Sequence, residues 1–286
     1  MDQGIEALAS TLEDGIHNWG HMSLAEMTGG RQGQSAMASS TVSARDPVFY
    51  RWHGYLETIF QRYKASLGPY SREDLSFPGL EVVAARLVSR GERDNTIGSD
   101  REEEFTLEVT LRAELETQAV LRAFLVFPEK PSVVLELDQW LASVGPGEVT
   151  ESRREGQAPH LSRREDQSLQ QLQRSLLRGQ VSRRTFNWAG CGWPRHLNIP
   201  SGRPEGMAWR LVVVASPVLA RDRDRVRDWQ RADRVSWSYC GVQEGRVPDS
   251  RPLGFPLDRP DSRSSLDLLA SSYTNIFLQE VSIVGS

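Results

Sequence analysis

The chain has 286 residues, 38% of them hydrophobic and 25% charged, which suits a soluble protein of about two domains with a buried core. Its net charge of −4 and pI near 5.8 argue against a nucleic-acid partner, and its arginines are offset locally, as in Arg221-Asp222-Arg223-Asp224. No stretch approaches the ~18 apolar residues of a transmembrane helix, so no membrane partner is expected. The segment Met1–Glu6 has neither the basic flank nor the apolar block of a signal peptide.

In chain order, residues 5–27 carry Ile5, Leu8, Leu12, Ile16 and Leu24 near helical spacing, and Gly29-Gly30 closes the segment. Residues 28–44 are rich in Gly, Ser, Thr, Gln and Ala and read as a surface loop. Asp46-Pro47 then makes a good helix start, with proline at the first helical position. A helix over 47–63 would turn Phe49, Trp52, Leu56, Ile59 and Phe60 towards a core, and Gly68-Pro69 would end it.

From about residue 80 the period changes from helical to twofold. Phe105, Leu107, Val109 and Leu111 alternate with Thr106, Glu108, Thr110 and Arg112, the pattern of a half-buried strand. Further strands are expected at 80–88, 119–127, 132–138, 208–216 and 274–284, separated by turn residues as in an antiparallel sandwich or barrel. The polar run 148–184 reads as a long loop or an added helix, and the Arg/Asp run 221–234 as an exposed loop or short helix.

Chemistry concentrates in the histidines, of which there are five. His17 and His21 stand one helical turn apart on one face, and His53 sits in the second helix. Three imidazoles with an open position suit copper, zinc, iron or nickel, and the spacing leaves the metal undecided. His196 is expected to pack in the sandwich and His160 to be solvated. Trp52 and Phe49 are expected to fill the core, and Asp46 to cap its helix. The serines lack a histidine–carboxylate arrangement, which removes a hydrolase reading.

The segment His17-Asn18-Trp19-Gly20-His21, followed after a loop by Arg45-Asp46-Pro47-Val48-Phe49-Tyr50-Arg51-Trp52-His53, closely resembles the second copper-binding motif of arthropod phenoloxidases and haemocyanins. Leu75-Ser76-Phe77-Pro78-Gly79 resembles that family's junction between helical bundle and sandwich. Cys191-Gly192-Trp193-Pro194-Arg195-His196, Tyr239-Cys240-Gly241 and the stretch from Pro248 to Arg259 resemble its late β region.

The resemblance implies an α+β fold: a partial copper-binding helical domain at 1–78, then an antiparallel immunoglobulin-like β-sandwich at 79–286. It implies a type-3 copper protein in which His17, His21 and His53 hold one copper ion, the site called CuB. In the family a second histidine set holds a partner copper, dioxygen binds between the two ions, and phenols or catechols are oxidised to quinones for melanin formation, immunity and cuticle hardening. The five histidines here do not supply that second set, so this chain is expected to carry only the CuB half. The alternative is a non-catalytic, haemocyanin-like oxygen carrier or a truncated structural paralogue. By the same resemblance Cys191 and Cys240 form a disulfide, the protein enters homo- or hetero-oligomers, and it works in haemolymph after release without a signal peptide. One departure bears on activity: Gln32 falls where phenoloxidases place a carboxylate base, and an amide cannot take the phenolic proton.

Overall fold

The computed structural model describes residues 12–28, 35–38, 43, 46–89, 95–98, 104–161, 178, 198–223, 249–259, 261–262 and 265–285. They divide into two compact units: a helical one made of the described residues up to Leu67 together with Arg178, and a β-rich one made of 68–161 and the described residues from Asn198 on.

In the helical unit a π-helical turn, Leu12–His17, leads into α1, Asn18–Thr28. The helix expected over 5–27 is therefore continuous in its described part, with π geometry up to His17 and α geometry after it. Single turns of π geometry next to α-helix are frequent at functional positions. Helix α2, Pro47–Ser66, starts as expected: Asp46 is extended, its carboxylate accepts from the Val48 amide at 3.0 Å, and Pro47 follows. It runs one turn past the expected end and stops at Leu67, just ahead of Gly68-Pro69.

The β unit holds two sheets. Strands β1 (Leu80–Val88), β3 (Thr106–Ala113) and β6 (Gly147–Arg154) form one, in the order β1-β3-β6. Strands β2 (Thr96–Gly98), β8 (Ile276–Val284), β7 (Met207–Pro217), β4 (Thr117–Val126) and β5 (Val134–Val144) form the other, in the order β2-β8-β7-β4-β5. All pairs are antiparallel except β2 with β8. The expected strands are all present within a few residues, and the α+β architecture with a β-sandwich holds.

Two strands were not expected. Strand β6 lies in the polar run read as loop or helix; it pairs along its whole length with β3, from Thr106↔Arg154 to Ala113↔Gly147. None of its residues is buried, so it shows no apolar alternation, and it is held by the backbone ladder and by side chains such as Thr110 and Thr150, whose hydroxyls lie 3.0 Å apart. Strand β2 is three residues long, too short for a sequence period to register.

The inner faces of the two sheets bury one core, with Leu87, Leu107, Val109, Leu111, Leu121 and Val213 among its members. The outer face of the five-stranded sheet is covered as well. Leu75 of α3 (Arg72–Leu75), Leu266 and Leu269 of α4 (Leu266–Ser272), and Phe255 and Leu257 pack on Phe124, Val126, Val212 and Val214. Strand β4 is thus buried on both faces, which explains its nearly unbroken apolar reading. Asn275 links these layers: its amide donates to the carbonyls of Leu75 at 2.9 Å and Ala215 at 2.8 Å.

Candidate metal centre

The three histidines singled out from the sequence meet in the helical unit. His17 Nε2 lies 3.0 Å from His53 Nε2, and His21 Nε2 lies 3.5 Å from the same atom. Their donor atoms all fall within 4.8 Å of one another, and this is the one His/Cys/Asp/Glu group of metal-holding size among the described residues.

Backbone carbonyls orient two of the rings. His53 Nδ1 donates to the Phe49 carbonyl one turn earlier at 2.8 Å, and His21 Nδ1 donates to the Met37 carbonyl at 2.9 Å. With the protons on Nδ1, the Nε2 atoms of His21 and His53 are left as lone pairs facing inward. His17 Nε2 is then the donor of the N–H···N bond to His53, and its proton would have to move to Nδ1 for Nε2 to coordinate a metal ion. Phe49 also stacks on the His53 ring, centroids 3.8 Å apart and planes 28° apart, which fixes ring rotation as well as ring hydrogen bonding.

Electrostatics favour neutral rings. Burial first, then repulsion from His21 and His53, brings the His17 pKa down to about 4. Burial lowers that of His53 too, with the hydrogen bond to the Phe49 carbonyl acting against it and His21 adding to it. Near neutral pH both imidazoles are uncharged and able to coordinate.

The geometry fits a metal ion. Two nitrogens each ~2.05 Å from a tetrahedral centre are roughly 3.3–3.4 Å apart; the two separations to His53, 3.0 and 3.5 Å, bracket that figure, and all three donors lie within 4.8 Å of one another. Carbonyl partners on the second ring nitrogens are the usual means by which metal-bound imidazoles are held in one tautomer.

Residues 100–285 match the family description "Hemocyanin, ig-like domain", and residues 1–66 match the common central domain of tyrosinase. The chain belongs to the haemocyanin–phenoloxidase family. It is 30% identical to haemocyanin AA6 chain of Androctonus australis, over 89% of this chain and 47% of that one. It is 27% identical to phenoloxidase 3 of Drosophila melanogaster, over 90% of this chain and 43% of that one. Among solved structures it resembles a scorpion haemocyanin in its activated state, with a TM-score of 0.65 and 26% identity, over 95% of this chain and 49% of that one. The chain therefore spans about half the length of these relatives. Family membership implies copper as the metal such a histidine set takes.

Other sequence expectations fared unevenly. His160, read as solvated, is half-buried; its Nε2 lies 3.0 Å from Asn198 Oδ1, and Asn198 in turn donates to Glu155 at 3.1 Å. Asp222, read as part of an exposed run, is buried and accepts from the Ser250 amide and hydroxyl at 3.0 and 2.9 Å. Phe49 and Trp52, expected to fill the core, are half-buried, and Phe49 holds the ring of His53. Cys191, Cys240, His196 and Gln32 lie outside the described residues. Sequence reasoning missed Met37, whose contribution is a backbone carbonyl that any residue possesses. It could have noticed Phe49, which stands four residues before His53 on one helix face.

Proposed function

We propose that this chain is the CuB-type half of a type-3 copper protein, with His17, His21 and His53 holding one copper ion. The observation that carries the reading is the convergence of three Nε2 atoms at 3.0 and 3.5 Å, with two of the rings locked through Nδ1 on backbone carbonyls. Copper in such a place supplies one-electron exchange with dioxygen and with phenols. The protein's own part is to keep His17 and His53 neutral, to fix the tautomers of His21 and His53, and to leave a coordination position open. With a second copper half supplied, the activity proposed is oxidation of phenols and catechols to quinones, leading to melanin. The relatives include haemocyanins as well as phenoloxidases, so an oxygen-carrying or structural role is the second reading. The setting proposed is haemolymph, in oligomers of like or related chains. No helix among the described residues is long and apolar enough to cross a membrane.

Copper titration of the purified chain, with EPR and catechol oxidation followed in parallel, tests this. One cupric ion per chain is expected, with nitrogen hyperfine structure from imidazoles and no tyrosine hydroxylation. His53→Ala should weaken copper by more than the ~10–100-fold typical of lost outer-sphere partners, because it removes a ligand itself. Two coupled, EPR-silent coppers per chain, or unchanged affinity in His53→Ala, would sink the half-site reading.

A further inference from the structure

We propose that Gly20 is a positioning residue for the three-imidazole site, its missing side chain seating the ring of Trp52 and so setting the spacing between the helix of His17 and His21 and the helix of His53. The inference rests on the metal-site reading above and deepens it. Gly20 is buried in α1, and a Cβ built on it would overlap the six-membered ring of Trp52 in α2 at three carbon atoms. Glycine is a poor residue for a helix interior, so its place there is explained by what sits against it.

The contact lies beside the ligands: Gly20 precedes His21 and follows His17 by three residues, while Trp52 immediately precedes His53. Trp52 is held by packing. Its Nε1 is buried without a hydrogen-bond partner, and its ring stacks on Tyr55 at 5.7 Å between centroids. A methyl at position 20 would need ~3.5–4.0 Å to the nearest ring carbon, which forces the ring, and with it the first half of α2, back by roughly an ångström or more. Metal–nitrogen bonds tolerate only about ±0.2 Å around their preferred length. The His53 Nε2 would leave the position at which it now faces both His17 and His21, while those two, on one helix, keep their mutual spacing.

The test is equilibrium dialysis of the full chain against copper(II) sulfate, with EPR of the loaded protein and far-UV circular dichroism of the metal-free protein. Gly20→Ala is expected to keep its helix signal, to lose at least tenfold in copper affinity, and to show fewer coordinated imidazole nitrogens. Gly20→Ala combined with Trp52→Leu, which removes the obstacle, should regain most of the affinity. Should Gly20→Ala alone fail to fold, the double variant carries the test: recovery of helix signal and affinity together upholds the inference, and recovery of neither overturns it. Wild-type binding with Gly20→Ala within twofold of it, or a loss the double variant does not restore, overturns the positioning role while leaving the metal site standing. A wild-type chain that binds no copper overturns both.

Discussion

In the β unit, the guanidinium of Arg122 is 2% exposed and is met by Asp249 at 2.9 Å and by the Pro252 carbonyl at 2.9 Å. Asp249 is shared in turn with Arg251, at 3.0 Å. In the helical unit, three imidazoles face one another nitrogen to nitrogen, and carbonyls hold the far sides of His21 and His53. The apolar surroundings differ in the same sense. The β unit buries two clusters on both faces of one sheet. The helical unit buries Ala25, Met37 and Leu56 among its described residues, while Trp19 and Met27 are 69% and 80% exposed. The Arg122, Asp249 and Arg251 group of the β unit is thus paired charge to charge and serves the fold. In the helical unit the Nε2 lone pairs of His21 and His53 face each other at 3.5 Å, an arrangement that costs stability until a cation completes it.

The comparison can be broken most forcefully at Asp249. Asp249→Ala leaves Arg122 and Arg251 buried without their carboxylate, and should destabilise the β unit by about 3–5 kcal/mol in urea titrations. Replacing all three together, Arg122→Met, Asp249→Leu and Arg251→Met, should recover much of that loss, because no member of the group is left charged without its partner. An Asp249→Ala chain as stable as wild type would show that the pair is not a structural element.

Next in size is Leu56→Ala, which removes a buried side chain of the helical unit and should cost it roughly 2–3 kcal/mol. Because the two units are separate compact bodies, the helical signal should melt earlier while the near-ultraviolet signal of Trp140 and Trp209 in the β unit keeps its midpoint. A single coincident shift of both signals would show the units to be one cooperative body.

The smallest effect concerns acid. Burial lowers the pKa of His160, against the opposing pull of its Asn198 hydrogen bond and of Asp138. A folded pKa below the ordinary 6.5 means that the unfolded chain binds the proton more readily, so stability from the neutral ring is present above pH 6.5 and is lost as pH falls below it. His160→Asn should therefore flatten the decline of the β-unit melting temperature below pH 6.5, with little change at pH 7.5. An unchanged acid slope would mean that the ring is accessible to protons in the folded state.

How far the fold was legible follows from what each element buries. Strand β3 showed itself because one face is apolar and the other solvated, and β1 runs over 80–88 as its pattern suggested. Strand β6 was illegible because both of its faces are polar and its partner is a backbone. The stretch from Asp249 to Asp258 resembled a family signature, yet nothing in its composition told that Phe255 and Leu257 cover the outer face of a sheet whose residues come from as far apart as Phe124 and Ile276.

By itself the sequence determined the local matters: the Asp46-Pro47 helix start, the one-turn spacing of His17 and His21, and the change from helical to strand period near residue 80. These depend on φ restriction, side-chain periodicity and capping, which act over a few residues. Tertiary structure alone decided that His53 Nε2 faces both other imidazoles, that the Met37 carbonyl holds the His21 tautomer, and that Gly20 lies under Trp52. Each of these joins atoms from segments far apart in the chain, through a backbone carbonyl, a lone pair or an absent side chain. Such groups carry no periodic signal, and only the packing of one helix on another can bring them together.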